Sequence, residues 1–350
     1  MTDQFSAHFP QFVPTGPETD APVSGLRDVI LCATNPAEQT ETGEYMDHLP
    51  VGALAIARVG GDGRGAMEVD LGRGVVLKRL SSEDADLVMN ACAPRGHYFA
   101  PIRQFGQRYS LVLDLPADVW EGDRGLAWDP DGVLYDALTM SRLIRDNGFS
   151  LQYAARIVDY EDGEQCVVWN PSPGGKTAYR LRRDREWLDA GEADELAALL
   201  DALWSADLPP RVRRALWRAE WAGWSAFADA MLPTLVGGLE ALLKTRRYEL
   251  TAMFKVRAAA LAVEAGIEGI DEDFCGYIYD GRSDWVHGSE VALFGDAASP
   301  QPTEADRRDV LADIAKVQDL LRATCRRAIE DQTFRETFAA DASIDARWPA

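Results

Sequence analysis

The chain has 350 residues, of which 47 % are apolar, and a formal charge of −21. That apolar share can build sizeable cores in two or three ordinary domains, while no apolar run approaches the roughly eighteen residues a membrane helix requires. The acidic balance opposes nonspecific attraction to nucleic acid, and the start, MTDQFSAHFP, lacks the basic and apolar regions of a signal peptide, so a cytoplasmic protein is expected.

The first thirty residues, rich in Pro, Gly, Thr and Asp, read as irregular surface chain. Strand signals follow at GVVLKRL (74–80) and YSLVLDL (109–115), and YAARIVDY with QCVVWN around EDGE (161–164) reads as a hairpin. Helical patches lie at 81–92, where Ser81 and early acids suit an N-terminus, and at 132–148, which ends on Asn-Gly. After about residue 183 strand patterns nearly vanish and helical periodicity takes over, beginning at 185–204. The expected fold class is α+β: a mixed domain over 1–182, an all-α bundle over 183–335 and a C-terminal tail over 336–350. In the bundle Trp217, Trp221, Trp224, Phe227 and Met231 recur at steps of three and four; such a stripe can stack nucleobases but reads first as core. The last long helix starts at a capping-box-like Thr303 and Asp306 and aligns Val310, Ile314, Val317, Leu321 and Ala328. Five cysteines, Cys32, Cys92, Cys166, Cys275 and Cys325, form no CxxC pair and read as reduced thiols.

Two helices of the bundle break the apolar rule. In 249–266 Arg257 intrudes on the face of Leu250, Phe254 and Leu261; in 273–290, DFCGYIYDGRSDWVHGSE, Arg282 intrudes on that of Phe274, Ile278 and Trp285. Arginine stays charged, so on a buried face it must be paired or must meet a partner surface or an anionic ligand. Glu240 in the preceding LEALL helix is the expected partner of Arg257; Asp280 and Asp284 point away from the face of Arg282. His287 follows five residues after Arg282, about 140° round an ideal helix, and Gly288 suits a helix end there. One regular helix does not aim both at one small ligand, so either the backbone leaves α-geometry before His287 or a second copy completes the site. In a last helical turn the dipole favours the protonated imidazole, and Asp284 at i−3 can orient it. The other histidines, His8, His48 and His97, lie in the first domain.

The order LEALLKTRRYELTAMFKVRAAAL, then GYIYDGRSDWVHGS, resembles the ApeA-like branch of the HEPN superfamily over roughly residues 225–325. Its members show a LEALL-type helix, an F-x-x-R-A-A-type helix and a YxxRSxxVHG segment; the superfamily signature is Arg, four to six residues, then His. The resemblance implies a helical bundle that forms a homodimer and a site shared by two protomers, which cleaves RNA without metal or cofactor and leaves a 2′,3′-cyclic phosphate and a 5′-hydroxyl. Arg282 and His287 would then be the catalytic pair, with His287 moving protons and Arg282 stabilising the phosphorane. Ser283, Asp284, Glu240 and Arg257 would support them and Lys255 would contact substrate. The residue after the arginine is often Asn, Asp or His in active relatives and is Ser283 here. Such proteins serve in bacterial defence or toxin systems, which makes the first domain the place where an unknown trigger is sensed. The rival reading is a catalytically silent HEPN module for dimerisation or ligand binding, and a weaker one is a nucleotide-processing enzyme. NPSPGGKTAY (170–179) lacks the first glycine of a P-loop, and DPDG (129–132) reads as a turn rather than a calcium loop. DED (271–273) reads as a helix N-terminus.

Overall fold

The computed structural model describes residues 13–15, 23–33, 69–72, 75–79, 83, 109–116, 130–145, 150–160, 163, 165–171, 190–223, 228–246, 248, 250–287 and 304–350. It divides into two compact units, one of Met1–Ser141, Asn147–Thr177 and Arg183–Asp201, the other of Arg142–Asp146, Ala178–Arg182 and Ala202–Ala350. The expected helix over 81–92 falls outside the described residues except for Glu83, which is helical.

The first unit is built on a seven-stranded sheet: β1 (Val13–Thr15), β2 (Val23–Ala33), β3 (Val69–Gly72), β4 (Val75–Arg79), β5 (Tyr109–Pro116), β6 (Ser150–Tyr160) and β7 (Gln165–Pro171). Their order is β1-β7-β6-β2-β5-β4-β3, and every described pairing is antiparallel. The predicted hairpin is β6–β7, in register at Ile157 opposite Val167, and Gly163 takes the left-handed φ of 85° that its turn needs. The reading of the first thirty residues as irregular is overturned at residues 13–15 and from residue 23 on, the rest lying outside the described residues. β2 is a central strand, bonded to β5 on one side and β6 on the other, which is why its VILCA run is continuously apolar rather than alternating. Helix α1 (Pro130–Ile144) corrects a second expectation: Pro130, Asp131 and Gly132 of the supposed DPDG turn open it, and a proline at the first position loses no helical hydrogen bond.

Among the described residues the C-terminal region is all α. It contains α2 (Ala190–Ser205), whose end alone falls in the second unit, then α3 (Pro210–Gly223), α4 (Ala228–Leu243), α5 (Leu250–Ala265), α6 (Glu272–His287), α7 (Glu304–Glu330), α8 (Gln332–Thr337) and α9 (Asp341–Arg347). Steps of three and four from Trp217 to Met231 suit a single helix, but Trp217 and Trp221 lie on α3 and Met231 on α4, and the two helices pack on each other. They meet where α4 has no side chain. A β-carbon on Gly238 would lie 2.7 Å from Leu321 of α7 and 3.2 Å from Cβ of Arg218 on α3, so only glycine permits this three-helix approach. The core there is Leu216, Leu235, Leu239, Ile314, Val317 and Leu321.

Helix α5 stops because Gly266 turns left-handed, at φ 69°. The Ile267 N–H then reaches the Ala262 carbonyl at 3.0 Å and the Gly266 N–H that of Val263 at 3.2 Å, a Schellman ending. Asp271 opens α6 as expected of the DED cluster, its carboxylate accepting from the Phe274 N–H at 2.8 Å. Residues 336–350 are no tail. Phe338, Ile344 and Trp348 are buried, and the aromatic rings of Phe334, Phe338 and Trp348 pack edge to face or tilted within 6.3 Å of one another. Among the described residues no helix is long and apolar enough to cross a membrane.

Candidate functional site

The predicted site residues sit on three helices of the second unit: Glu240 on α4, Lys255 and Arg257 on α5, and Arg282, Ser283, Asp284 and His287 on α6. Helix α6 packs against both others. It buries Cys275, Ile278 and Tyr279 along one stripe, and Arg282, one turn beyond Ile278, continues that stripe to the edge of the bundle, where a quarter of its side chain is exposed.

Both intruding arginines are paired, but with partners other than those expected. Glu240 was assigned to Arg257 and instead accepts from Nη2 of Arg282 at 3.1 Å. The physical reason lies in packing: α6 lies against α4, with Gly281 facing Leu232, and this brings the 42-residue-distant Arg282 to Glu240. Nζ of Lys244, one turn along α4, is 3.7 Å from the other Glu240 oxygen. The Tyr279 phenol also bonds Glu240, and its ring lies 5.9 Å from the Arg282 guanidinium centre and 4.9 Å from the Phe254 ring. Burial first, then the adjacent Glu240 charge, pushes the Tyr279 phenol above its ordinary pKa, so it remains a proton donor to that carboxylate at neutral pH. The result is a partly buried cluster of Glu240, Arg282, Tyr279 and Lys244, in which Nη1 and Nε of Arg282 have no protein partner among the described residues.

Arg257 is 0 % exposed and belongs to a different construction. Its Nη1 donates at 2.8 Å to both the Leu243 carbonyl, an end group of α4, and the Thr245 hydroxyl, and its Nη2 donates to Asp345 of α9. The Thr245 hydroxyl also meets Asp345, at 2.7 Å. Those bonds, that of Thr245 foremost, hold the Asp345 carboxyl below the usual aspartate range. Arg211 of α3 repeats the device, donating to the Lys244 carbonyl at 2.6 Å and to Asp341, one turn before Asp345. Arg257 therefore caps α4 and fastens the C-terminal helix. It meets no part of the Arg282 cluster.

Lys255 is not brought to that cluster either. Its side chain lies over Gly276, where an added β-carbon would be 3.0 Å from Cε, and Gly276 precedes Arg282 by six residues, about 9 Å along the axis of α6. The helix itself runs unbroken from Glu272 to His287. This removes the option of a backbone departure between Arg282 and His287 and leaves the two about 140° apart around α6. The side chains of Ser283, Asp284 and His287 lie outside the described residues, as do His8, His48 and His97.

Tyr279 and Lys244 were missed from sequence. Tyr279 sits at i−3 from Arg282 and Lys244 at i+4 from Glu240, so helical spacing would have found both once the Arg282–Glu240 pair was known. Among the described residues no group of three or more His, Cys, Asp or Glu side chains is placed to hold a metal ion. The thiols of Cys275 and Cys325 are buried, and burial pushes each up to about 12, far from a reactive thiolate. Comparison with protein-family models, curated proteins and solved structures finds no match to this chain.

Proposed function

We propose that the chain is a metal-independent endoribonuclease of HEPN type, working as a homodimer, with Arg282 and His287 as its catalytic residues. The observation that carries the reading is the anchoring of Arg282. A guanidinium held through Nη2 by Glu240, and backed by the Tyr279 ring, keeps a fixed orientation, and no described residue takes Nη1 or Nε, the two donors that would meet a phosphate oxygen. Such preorganised donors stabilise the charge that accumulates as the ribose 2′-oxygen attacks phosphorus. Imidazole is the side chain whose proton exchange suits neutral pH, and His287 takes the 2′-hydroxyl proton or returns one to the leaving 5′-oxygen. Because an unbroken α6 turns Arg282 and His287 apart, the pair is completed across a two-fold axis, where the helix of one protomer meets that of its partner. A role in bacterial defence or toxin systems, with the first unit sensing a trigger, follows from the same resemblance.

The alternative is a silent HEPN module for dimerisation or ligand binding, and one observation favours it: the Arg282–Glu240 pair also ties α6 to α4, a sufficient structural use for both residues. The two readings separate in one experiment. Purified protein is incubated with total cellular RNA in EDTA beside Arg282→Ala and His287→Ala, all three having been sized by light scattering. The nuclease reading expects cleavage by the wild type and at least a hundred-fold loss in both variants at unchanged mass, the usual scale for removing a general acid–base or a charge-stabilising donor. Equal RNA turnover by all three proteins would sink it.

A further inference from the structure

Helix α3 is cleanly divided. By the 100° step of an α-helix, Arg213, Trp217, Trp221, Arg214 and Arg218 follow one another across a single arc of about 140°, while Val212, Ala215, Leu216, Glu220 and Ala222 occupy the remainder and are buried. The arc therefore carries two indoles bordered by guanidinium groups. Trp221 is 55 % exposed although indoles ordinarily sit mostly inside. Its centroid is 5.3 Å from that of Trp217, and the Arg218 guanidinium lies 5.4 Å from the Trp217 centroid. The expectation that this tryptophan stripe is core thus holds for Met231 on α4 and fails for Trp221; Trp224 and Phe227 lie outside the described residues.

The charge of this face runs against that of the chain. Arg213, Arg214 and Arg218 are exposed and have no carboxylate partner among the described residues, in a protein whose net charge is −21. The one carboxylate within α3, Glu220, is turned to the buried side and paired with Arg142. Guanidinium groups that no described carboxylate neutralises, beside a more than half-exposed indole, match a single-stranded nucleic acid, whose phosphates take the charge and whose unpaired bases take the stacking. We infer that the Arg213, Arg214, Trp217, Arg218 and Trp221 face of α3 is a docking surface for single-stranded RNA. This rests on the proposed ribonuclease reading for the identity of its ligand, and adds to it the place where substrate is first held. It also accounts for how so acidic a protein engages a polyanion: the attraction is confined to one helix face. Single strands are chosen over duplexes because paired bases offer no free ring face to an indole.

The test uses the full chain and a single-stranded 2′-O-methyl oligonucleotide of mixed sequence, which binds but carries no 2′-hydroxyl to cleave. Fluorescence anisotropy is read across a salt series for the wild type, for Trp221→Ala, and for the triple variant Arg213→Gln, Arg214→Gln, Arg218→Gln. All four substituted positions are exposed, half-buried Trp217 is left in place, and circular dichroism checks that the variants stay folded. The expected result is binding that Trp221→Ala weakens about ten-fold, the loss of one stacked base. The triple variant should flatten the dependence of log affinity on log salt by about 2, three phosphate contacts at about 0.7 each. A wild type that does not bind overturns the inference, as do variants that bind equally well and a duplex of the same sequence that binds as tightly as the strand. A fall in particle mass for Trp221→Ala, with no oligonucleotide bound by the wild type, would make the face a contact between copies. Because the probe cannot be cleaved, binding without RNA turnover overturns only the nuclease reading, and cleavage indifferent to these substitutions overturns only this one.

Discussion

At the scale of single residues, two arginines on apolar faces have opposite consequences. Arg257 is fully buried and its charge is met by Asp345, 88 residues away, so that ion pair joins α5 to α9, while a bond to the Leu243 carbonyl holds the end of α4. Removing the carboxylate leaves a buried cation uncompensated. We expect Asp345→Ala to cost about 3 kcal/mol in urea denaturation, the low end of the range for breaking a buried pair, because Asp345 itself is partly open to water. The pH dependence has a definite sign. The Asp345 carboxyl is held below its ordinary value, so its contribution is fully present above about pH 4, the unfolded aspartate range, and is lost as pH falls through the lower folded-state value. Glu264, lowered by its hydrogen bond to Arg347, acts in the same direction. The acid limb of a stability profile should therefore be shallower in Asp345→Ala than in wild type; identical limbs would show that the pair contributes nothing. That both arginines need a partner, a facing surface or an anionic ligand was readable from their place in the helical pattern. Which acid pairs with which was not, since Glu240 is closer in sequence to Arg257 than to Arg282, and only the crossing of α6 over α4 decides the matter.

At the scale of elements, periodicity was reliable where one face of a segment meets the core. The strands β4 to β7 and the helices α5, α6 and α7 fall where alternation and the 3.6-residue repeat put them. It failed for β2, whose two paired edges leave it with a continuous apolar run after a Pro- and Gly-rich approach, and for α3 and α4, whose apolar stripes line up in sequence as though one helix carried both. Tertiary packing makes them two helices: Gly238 lets α4 approach α3 and α7. Gly238→Val places three carbons where a single one already meets Leu321 at 2.7 Å. Overpacking of this kind costs about 1–3 kcal/mol, more than the fraction of a kcal/mol that valine gains over glycine in helix propensity. A lower melting temperature is expected; an unchanged one would mean that the three helices separate without cost.

At the scale of the whole molecule, the site is legible in the sequence only as far as its residue types. The Arg and His spacing names two candidates, but their divergence of about 140° on a helix that continues to His287 means that one copy of α6 does not present both to one phosphate. If the site is shared, each catalytic centre draws Arg282 from one protomer and His287 from its partner, and complementation follows. Co-expression of Arg282→Ala with His287→Ala, under two different tags, would yield mixed dimers in which one of the two centres is intact and the other lacks both residues. With random pairing half of the dimers are mixed, so activity of about a quarter of the wild-type value should return from two parents that are each inactive. Purification through both tags in turn should raise that to about half. A doubly tagged dimer of wild-type mass that remains as inactive as its parents would reject the shared centre, because both residues would then have to act from the same chain.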